Sequence, residues 1–404
     1  MLKAKLKNFL LFFISIFVTF LFINFILIKI SSQNIFPRPL AASLPNTLLT
    51  FYPDTYNKKN LENFTAVLGN SVAQGGGDSY LKGENNYSIT HHLHDIKNKN
   101  YLIFARAGHN SMMSVINLTK VHALSNKSFM LPDLNKPNSI IFYFYEGIDL
   151  WWNYSLYKNY SKQNESVESF VSRTINDNSA PNLFEKFENS FPIFPFVGTF
   201  FEDFAKLFKE IFKSGSLKES ISLIFDRIKK LFGFYILLGD REKNDLTWTN
   251  SLKNHKSVNN IRPIQGAGIG LNKNQMLIGL NVFFNSLNYA KSWANTKNVY
   301  ILYIPAPITV YDWKEPIIYA GQALSPRSKD DVKSITNKQN RIKNIFLRNE
   351  IQIFSEKNDI TFLDPSDLLI EEGKSKLLHG PLDWGHMNHD GYKVVSEFLV
   401  NQIN

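Results

Sequence analysis

Two stretches that lie far apart in the chain carry the residue types of a serine nucleophile and its base. The segment AVLGNSVAQGGGD (66–78) places Ser71 after an apolar run and before three glycines. Near the C-terminus, HGPLDWGHMNHDGY places Asp383 three residues before His386. At this spacing in a loop, a carboxylate can hold Nδ1 of the imidazole and leave Nε2 to accept a hydroxyl proton. The pattern predicts a relay of Ser71, His386 and Asp383.

Ser71 taken alone is a weak signal, because serines often follow strands as turn residues. Its position at the end of an apolar run favours a nucleophile, since Gly75, Gly76 and Gly77 would let backbone approach a substrate and donate N–H groups. The glycine spacing differs from Gly-x-Gly-x-x-Gly, which argues against a dinucleotide site. Both interpretations of the serine, nucleophile and turn residue, stay open at this point.

Five short apolar runs predict the strands that would position these residues. They lie at 64–69, 100–108, 138–147, 298–307 and 359–366. Nearly continuous apolar runs are typical of strands buried on both faces of a parallel sheet. Helical patterns precede the fourth and fifth runs, and another follows His386. This alternation predicts an α/β domain with a mainly parallel sheet, starting near Leu61, whose sites form at the carboxyl ends of the strands.

The first thirty residues predict a membrane anchor. Lys3, Lys5 and Lys7 precede an uncharged apolar run at 9–28, about the length of a membrane-spanning helix. A cleavable signal peptide is the alternative, but its apolar core is normally shorter and a cleavage site normally follows it closely. The lysines favour a cytoplasmic N-terminus. We therefore expect a single-pass membrane protein in contact with lipid, with residues 31–404 in the periplasm or outside the cell.

Composition narrows the function further. The net charge is +10, but the lysines are scattered and no arginine-rich tract occurs, so we predict no nucleic-acid partner. The basic surface would also suit anionic lipid. The chain has no cysteine, which excludes thiol catalysis and cysteine-bound metal.

Two further segments have competing interpretations. His91, His92 and His94 could bind a metal ion, but without a nearby carboxylate pair we interpret them as a solvated loop cluster, and no metal or other cofactor is predicted. Asp390 is predicted to cap the last helix. The polar, proline-containing segment 31–60 is predicted to be a linker.

The region 151–278 is too long for one crossover between strands and is predicted to be a helix-rich insertion. Its phenylalanine-rich amphipathic stretches would form a helical pair packed on the domain's own core, or alternatively a lid or a pair of helices on the membrane surface.

The motifs resemble the conserved blocks of the SGNH/GDSL hydrolase superfamily, over roughly 64–150 and 298–400. The stretch GNS resembles the family's GDS block, with Asn70 in place of aspartate. FARAGHNSMMS resembles the second block, and this resemblance assigns the N–H of Gly108, with that of Ser71, to an oxyanion hole. Asp383-x-x-His386 matches the last block and is supported by two further residues, Asn388 and Gly391.

The third block, Gly-x-Asn-Asp in the family, is the main departure. Its counterpart is EGID, with Glu146 at the glycine position, Ile148 at the asparagine position and Asp149 retained. In the family the asparagine side chain is a third oxyanion donor, and isoleucine has no hydrogen to donate. Loss of one such donor typically costs about 10²- to 10³-fold in rate.

The resemblance implies a flavodoxin-like three-layer sandwich with a mainly parallel sheet, the SGNH-hydrolase fold. It also implies a serine esterase or O-acyltransferase acting on acyl esters, and the predicted topology suggests acylated cell-envelope glycans or lipids. The alternative is a catalytically impaired member of the same fold that binds glycans or assists polysaccharide assembly. Candidate substrate contacts are Asn70, His109, Asn110 and Ile148.

Overall fold

The computed structural model of the protein describes residues 61–127, 131–177, 250–321 and 332–403, apart from positions 83, 85, 256, 259, 260 and 262, together with residues 15, 50, 51 and 55. The chain divides into two compact units. One unit comprises Pro53–His122, Leu134–Ser179 and Tyr235–Asn404, and it contains both sheets and the candidate site. The other comprises Met1–Tyr52, Ala123–Asp133 and Ala180–Phe234, of which few residues are described.

Five strands form one parallel sheet in the order β2-β1-β3-β4-β7. They are β1 Thr65–Leu68, β2 Tyr101–Ile103, β3 Ser139–Tyr145, β4 Asn298–Ile304 and β7 Thr361–Leu363. All five predicted strands are therefore present, and the predicted α/β class with a mainly parallel sheet is confirmed. Two further strands, β5 Ile317–Gly321 and β6 Val332–Thr336, form a separate antiparallel pair that the sequence did not predict.

The described helices lie between these strands. They are α1 Ser71–Gln74, α2 Asp78–Leu81, α3 Ile89–Lys97, α4 Ser111–Ser125, α5 Asp149–Tyr160, α6 Val167–Asn176, α7 Lys273–Ala294, α8 Pro307–Val310, α9 Asn337–Lys357, α10 Ser366–Gly373 and α11 His389–Val400. The long patterns predicted before β4 and β7 correspond to α7 and α9, and the last predicted helix corresponds to α11. Each of α7 and α9 begins with a capping box, which satisfies N–H groups of the first turn.

Helices contact both faces of the sheet. Side chains along β3 alternate between the two faces of the sheet, so Phe142 and Phe144 lie on the same face. The centroid of each ring is 5.0 Å from that of Phe283 in α7. Tyr143 and Tyr145 belong instead to the hydrophobic cluster that includes residues of α3 and α11. This two-sided burial explains why β3 reads in the sequence as an unbroken apolar run.

Part of the predicted insertion is described: 151–177 is mostly helical, whereas 250–272 contains isolated β-bridges and no helix. Helices α5 and α6 both pack against α7. A side chain at Gly279 of α7 would place its Cβ 2.6 Å from the carbonyl oxygen of Leu150, so glycine lets α7 approach α5 closely. The predicted amphipathic helical pair lies outside the described residues.

The N-terminal predictions mostly lie outside the described residues as well. Apart from Ser15, the predicted span at 9–28 is not among them, and among the residues that are described no helix is long and apolar enough to cross a membrane. Within the predicted linker, Thr55 is buried. Its hydroxyl donates to the carbonyl oxygen of Tyr101 at 2.6 Å, and its own carbonyl accepts from the Tyr101 N–H at 2.8 Å. The chain before Leu61 therefore already contacts β2.

Candidate active site

The structure brings Ser71, His386 and Asp383 together in one hydrogen-bonded chain. The Oγ atom of Ser71 lies 2.6 Å from Nε2 of His386, and Nδ1 of the same ring lies 2.7 Å from Oδ2 of Asp383. Ser71 follows β1, whereas the other two residues lie in the loop that precedes α11. The His386 ring is buried while Ser71 is partly exposed. This arrangement can activate a serine hydroxyl that a substrate can reach.

Asn70 fixes the turn in which Ser71 stands. Its Oδ1 accepts the N–H of Val72 at 2.8 Å and so caps α1, the short helix that begins at Ser71. Its Nδ2 donates to Oδ1 of Asp149 at 2.8 Å, and the other carboxylate oxygen of Asp149 accepts the Tyr145 N–H at 2.7 Å. Asn70 is almost completely buried. It therefore anchors the turn after β1 to the end of β3, and its contacts are structural.

Two of the three glycines after Ser71, Gly76 and Gly77, hold the serine turn against the histidine loop. A Cβ on Gly76 would lie 3.0 Å from Cδ2 and Nε2 of His386, and a Cβ on Gly77 would lie 2.3 Å from the carbonyl oxygen of Met387. Gly77 also has a backbone φ of +127°, a value that residues with a Cβ rarely adopt. Tyr392 of α11 donates its hydroxyl to the carbonyl oxygen of Gly76. These glycines are needed for close packing between the two halves of the site.

Asp78 is a buried carboxylate that the sequence analysis did not identify. It begins α2, and its two oxygens accept the N–H groups of Leu382, at 3.1 Å, and Asp383, at 2.8 Å. Burial raises the pKa of Asp78, and the two N–H groups only partly offset this effect. Asp78 thus positions the backbone of the loop that carries Asp383. The available signal was its place directly after the glycines.

The environment of His386 favours the imidazolium that general base catalysis would form. Burial of the ring lowers its pKa, but the charge and hydrogen bond of Asp383, with a smaller contribution from Asp78, outweigh burial. The net effect raises the pKa of His386 above 6.5. The loop is held further by Tyr145, whose hydroxyl donates to the carbonyl oxygen of Gly385 at 3.0 Å.

Two backbone N–H groups are available as oxyanion donors. Within the described part of the chain, the N–H groups of Ser71 and Gly108 donate to no acceptor. Gly108 is exposed, has φ of +81° and lies in the loop after β2, the strand that pairs with β1. The Ala107 N–H donates to Oε1 of Gln74 at 2.6 Å, which ties this loop to α1. The arrangement is compatible with the donor roles predicted for both residues.

Ile148 lies in the hydrophobic cluster and is almost fully buried. It precedes α5 without capping it by its side chain, so it offers a substrate neither a donor nor much surface. Its neighbours Glu146 and Asp149 are buried carboxylates, and burial raises the pKa of each to about 7. Glu146 accepts the N–H of Ala306 at 2.9 Å and the hydroxyl of Thr309 at 2.7 Å, which joins the ends of β3 and β4.

The remaining candidate contacts flank Gly108. The Nδ1 atom of His109 has no hydrogen-bond partner among the described residues. Burial, with the charge of Arg106, lowers the pKa of His109 to about 3, so the ring is neutral at ordinary pH. Asn110 is buried, and its Oδ1 accepts the N–H of Met113 at 2.9 Å in the first turn of α4.

The prediction that His91, His92 and His94 form a solvated loop cluster is wrong. His91, His92 and His94 lie on α3, not in a solvated loop, and the first two are buried. Ser88 caps this helix, and Nδ1 of His91 lies 2.7 Å from its hydroxyl.

The prediction that Asp390 caps α11 is also wrong. Asn388 is the cap, because its side chain accepts the Gly391 N–H at 3.1 Å, and Asp390 lies in the first turn of the helix. Across the described ranges, no group of three or more histidine, aspartate or glutamate residues is arranged to hold a metal ion.

Comparisons of the chain with models of protein families, with curated proteins and with solved structures found no match.

Proposed function

We propose that this protein is a serine esterase or O-acyltransferase of the SGNH/GDSL type, acting on acyl esters through Ser71. The observation that carries the proposal is the continuous relay, with 2.6 Å from Ser71 Oγ to His386 Nε2 and 2.7 Å from His386 Nδ1 to Asp383. Ser71 lies 315 positions before His386 in the sequence, and both distances are those of strong hydrogen bonds.

The proposed reaction has two halves. His386 takes the proton of Ser71 as its Oγ attacks the ester carbonyl, and the electron pair of the carbonyl moves to oxygen, facing the N–H groups of Ser71 and Gly108. When the tetrahedral intermediate collapses, the imidazolium protonates the departing alcohol, which leaves an acyl-serine. Water, or a hydroxyl of an acceptor, then gives its proton to His386 and attacks the carbonyl carbon of the acyl-serine. The second tetrahedral intermediate collapses by breaking the bond between Ser71 Oγ and the acyl group, and the imidazolium returns its proton to Oγ. Asp383 keeps the ring in the required tautomer throughout.

The topology of the sheet supports this proposal by analogy. Counted within the five-stranded sheet, the strand order is 2-1-3-4-5, which is that of flavodoxin-like doubly wound folds. In such folds, ligands bind outside the carboxyl ends of the strands. Ser71 follows the carboxyl end of β1 and the Gly108 loop follows that of β2. An SGNH-hydrolase fold would have this arrangement.

The substrate class is proposed from topology. A chain anchored by residues 9–28, with its domain outside the cytoplasm, would meet O-acyl groups on cell-envelope glycans or lipids. Transfer to a sugar hydroxyl and hydrolysis share the acyl-serine intermediate, so the relay is suited to both.

A second candidate function rests on Ile148. Because this residue gives the site no third oxyanion donor, the chain could be a binding or polysaccharide-assembly protein that retains the fold. The enzyme is favoured over the binding protein because Ser71 Oγ lies 2.6 Å from Nε2 of His386, whose pKa is raised.

The test is hydrolysis of a panel of short-chain nitrophenyl esters by the full chain in detergent, with Ser71→Ala as the comparison. We expect turnover by the wild type and background rates from the variant. Equal thermal unfolding of the two proteins would show that the fold is intact. Equal activity of the two folded proteins would contradict the assignment of Ser71, and absence of turnover by both would favour the binding protein.

A further inference from the structure

We propose that the side-chain amide of Asn110 is the third oxyanion donor of this site, taking the role that Ile148 cannot fill. The inference rests on the proposed serine-hydrolase function. The juxtaposition that supports it is a buried amide, with its nitrogen unpartnered, in a loop that crosses the carboxyl end of β1.

The path of the loop follows from hydrogen bonds on either side of Asn110. The next residue, Ser111, is bonded to Asn153 of α5: its N–H donates to Oδ1 at 3.4 Å, and its hydroxyl accepts from Nδ2 at 2.9 Å. Helix α5 follows β3, whereas the loop leaves β2. Since β1 lies between β2 and β3, a segment joining their carboxyl ends passes the carboxyl end of β1. Ser71 stands directly beyond that end.

A second tie joins the same loop to the helix of the nucleophile. The Ala107 N–H donates to Gln74 at 2.6 Å, and Gln74 is the last residue of the four-residue helix that Ser71 begins. The loop is therefore held on one side by α1 and on the other by α5. Asn110 lies between these two attachments, two residues after Gly108.

The orientation of the Asn110 amide leaves its nitrogen available. Its Oδ1 is held at 2.9 Å by the N–H of Met113, which fixes the plane of the group. The residue is 4% exposed, and within the described ranges Nδ2 donates to no acceptor and is not enclosed, so this small exposed part of the side chain includes the donor. A donor held in a fixed direction and open to solvent can exchange its water for a substrate oxygen. The anionic oxygen that forms at the carbonyl carbon attacked by Ser71 would be the acceptor that this N–H meets during the reaction.

The test is Asn110→Ser in the full-length protein. Serine is as good a helix cap as asparagine, so α4 should be retained, but serine has no amide to reach the oxyanion. We expect kcat/KM on a nitrophenyl ester to fall about 10²- to 10³-fold, mainly in kcat. Inactivation by a fluorophosphonate should slow in parallel, because its phosphoryl oxygen would occupy the same position. Asn272→Ser is the matched control, since Asn272 caps α7 and should leave both rates unchanged.

A rescue experiment separates donation from capping. If Asn110 already supplies the third donor, Ile148→Asn should restore part of the rate in Asn110→Ser and give little gain in the wild type. The inference is overturned if folded Asn110→Ser keeps the wild-type rates, or if Asn110→Ser and Asn272→Ser lose activity equally. Wild-type protein that neither turns over esters nor reacts with the fluorophosphonate would instead contradict the proposed function itself.

Discussion

Asp78→Asn is expected to misalign the loop that carries Asp383 while leaving the fold in place. The carboxylate accepts two N–H groups, those of Leu382 and Asp383, with one oxygen for each. An asparagine has one acceptor oxygen, so its NH₂ group would face the second N–H. The variant therefore loses at least one hydrogen bond and gains a repulsive contact at the base of the loop.

The size of the effect follows from two opposing terms. A hydrogen bond to a charged group contributes about 1.5–3 kcal/mol, which corresponds to about 10- to 150-fold in rate if the whole loss falls on the aligned loop. Burial raises the pKa of Asp78, so the ionised carboxylate is itself disfavoured in the folded protein, and a neutral amide relieves that penalty. The free energy of unfolding should therefore change less than the activation free energy. We expect kcat/KM to fall by about 10- to 100-fold.

The assay compares ester kcat/KM and urea unfolding for wild type, Asp78→Asn and Asp390→Asn. Asp390 is exposed in the first turn of α11, so its variant removes a nearby charge without touching the loop backbone. Because Asp78 helps to raise the pKa of His386, the acid limb of the rate profile should also move to lower pH in Asp78→Asn only. Wild-type kinetics from folded Asp78→Asn would refute the positioning role.

Three further predictions concern other parts of the site and the chain. In urea titrations, Gly77→Ala should reduce the free energy of unfolding by about 1–3 kcal/mol more than Gly108→Ala does. A Cβ at position 77 would lie 2.3 Å from the carbonyl oxygen of Met387, whereas one at position 108 would have no atom within 4 Å. Equal losses in the two variants would contradict this packing. By NMR titration, the pKa of His386 should lie above 6.5 and should fall in Asp383→Asn. The contribution of the ion pair to stability is therefore complete below the pKa of His386 in the unfolded state and is lost as pH rises through its pKa in the folded state. An unchanged pKa in the variant would exclude the ion pair. A reporter that works only outside the cytoplasm, fused after residue 60, should be active, whereas activity of a cytoplasm-only reporter there would reverse the predicted orientation.

The sequence predicts the central sheet well because burial leaves a local signature. The run NSIIFYFYEG reads as a buried strand because both faces of β3 are covered, and β1, β2 and most of β4 are buried in the same way. The edge strand β7 is only partly buried. The Asp383-x-x-His386 spacing is also a local feature, and the structure places their side chains within hydrogen-bond distance.

Features that depend on contacts distant in sequence could not be predicted. Asp78 acts on a backbone N–H 305 residues away, and nothing in its own neighbourhood marks that partner. The histidines of α3 looked like a polar loop because histidine is polar, but Ser88 starts a helix there and the Tyr87 ring lies 4.3 Å, between centroids, from that of His91. Gly76 and Gly77 are needed for packing against the loop before α11, a contact that the spacing of the glycines alone does not reveal.

The most direct test of the central claim is labelling of the full-length protein by a fluorophosphonate, with the modified residue located by mass spectrometry. The account predicts one adduct on Ser71, none on folded Ser71→Ala, and a labelling rate that rises with pH through the pKa of His386, because the neutral ring must take the serine proton. Folded wild-type protein that stays unlabelled, or that is labelled equally in Ser71→Ala, would contradict the claim that the relay activates Ser71.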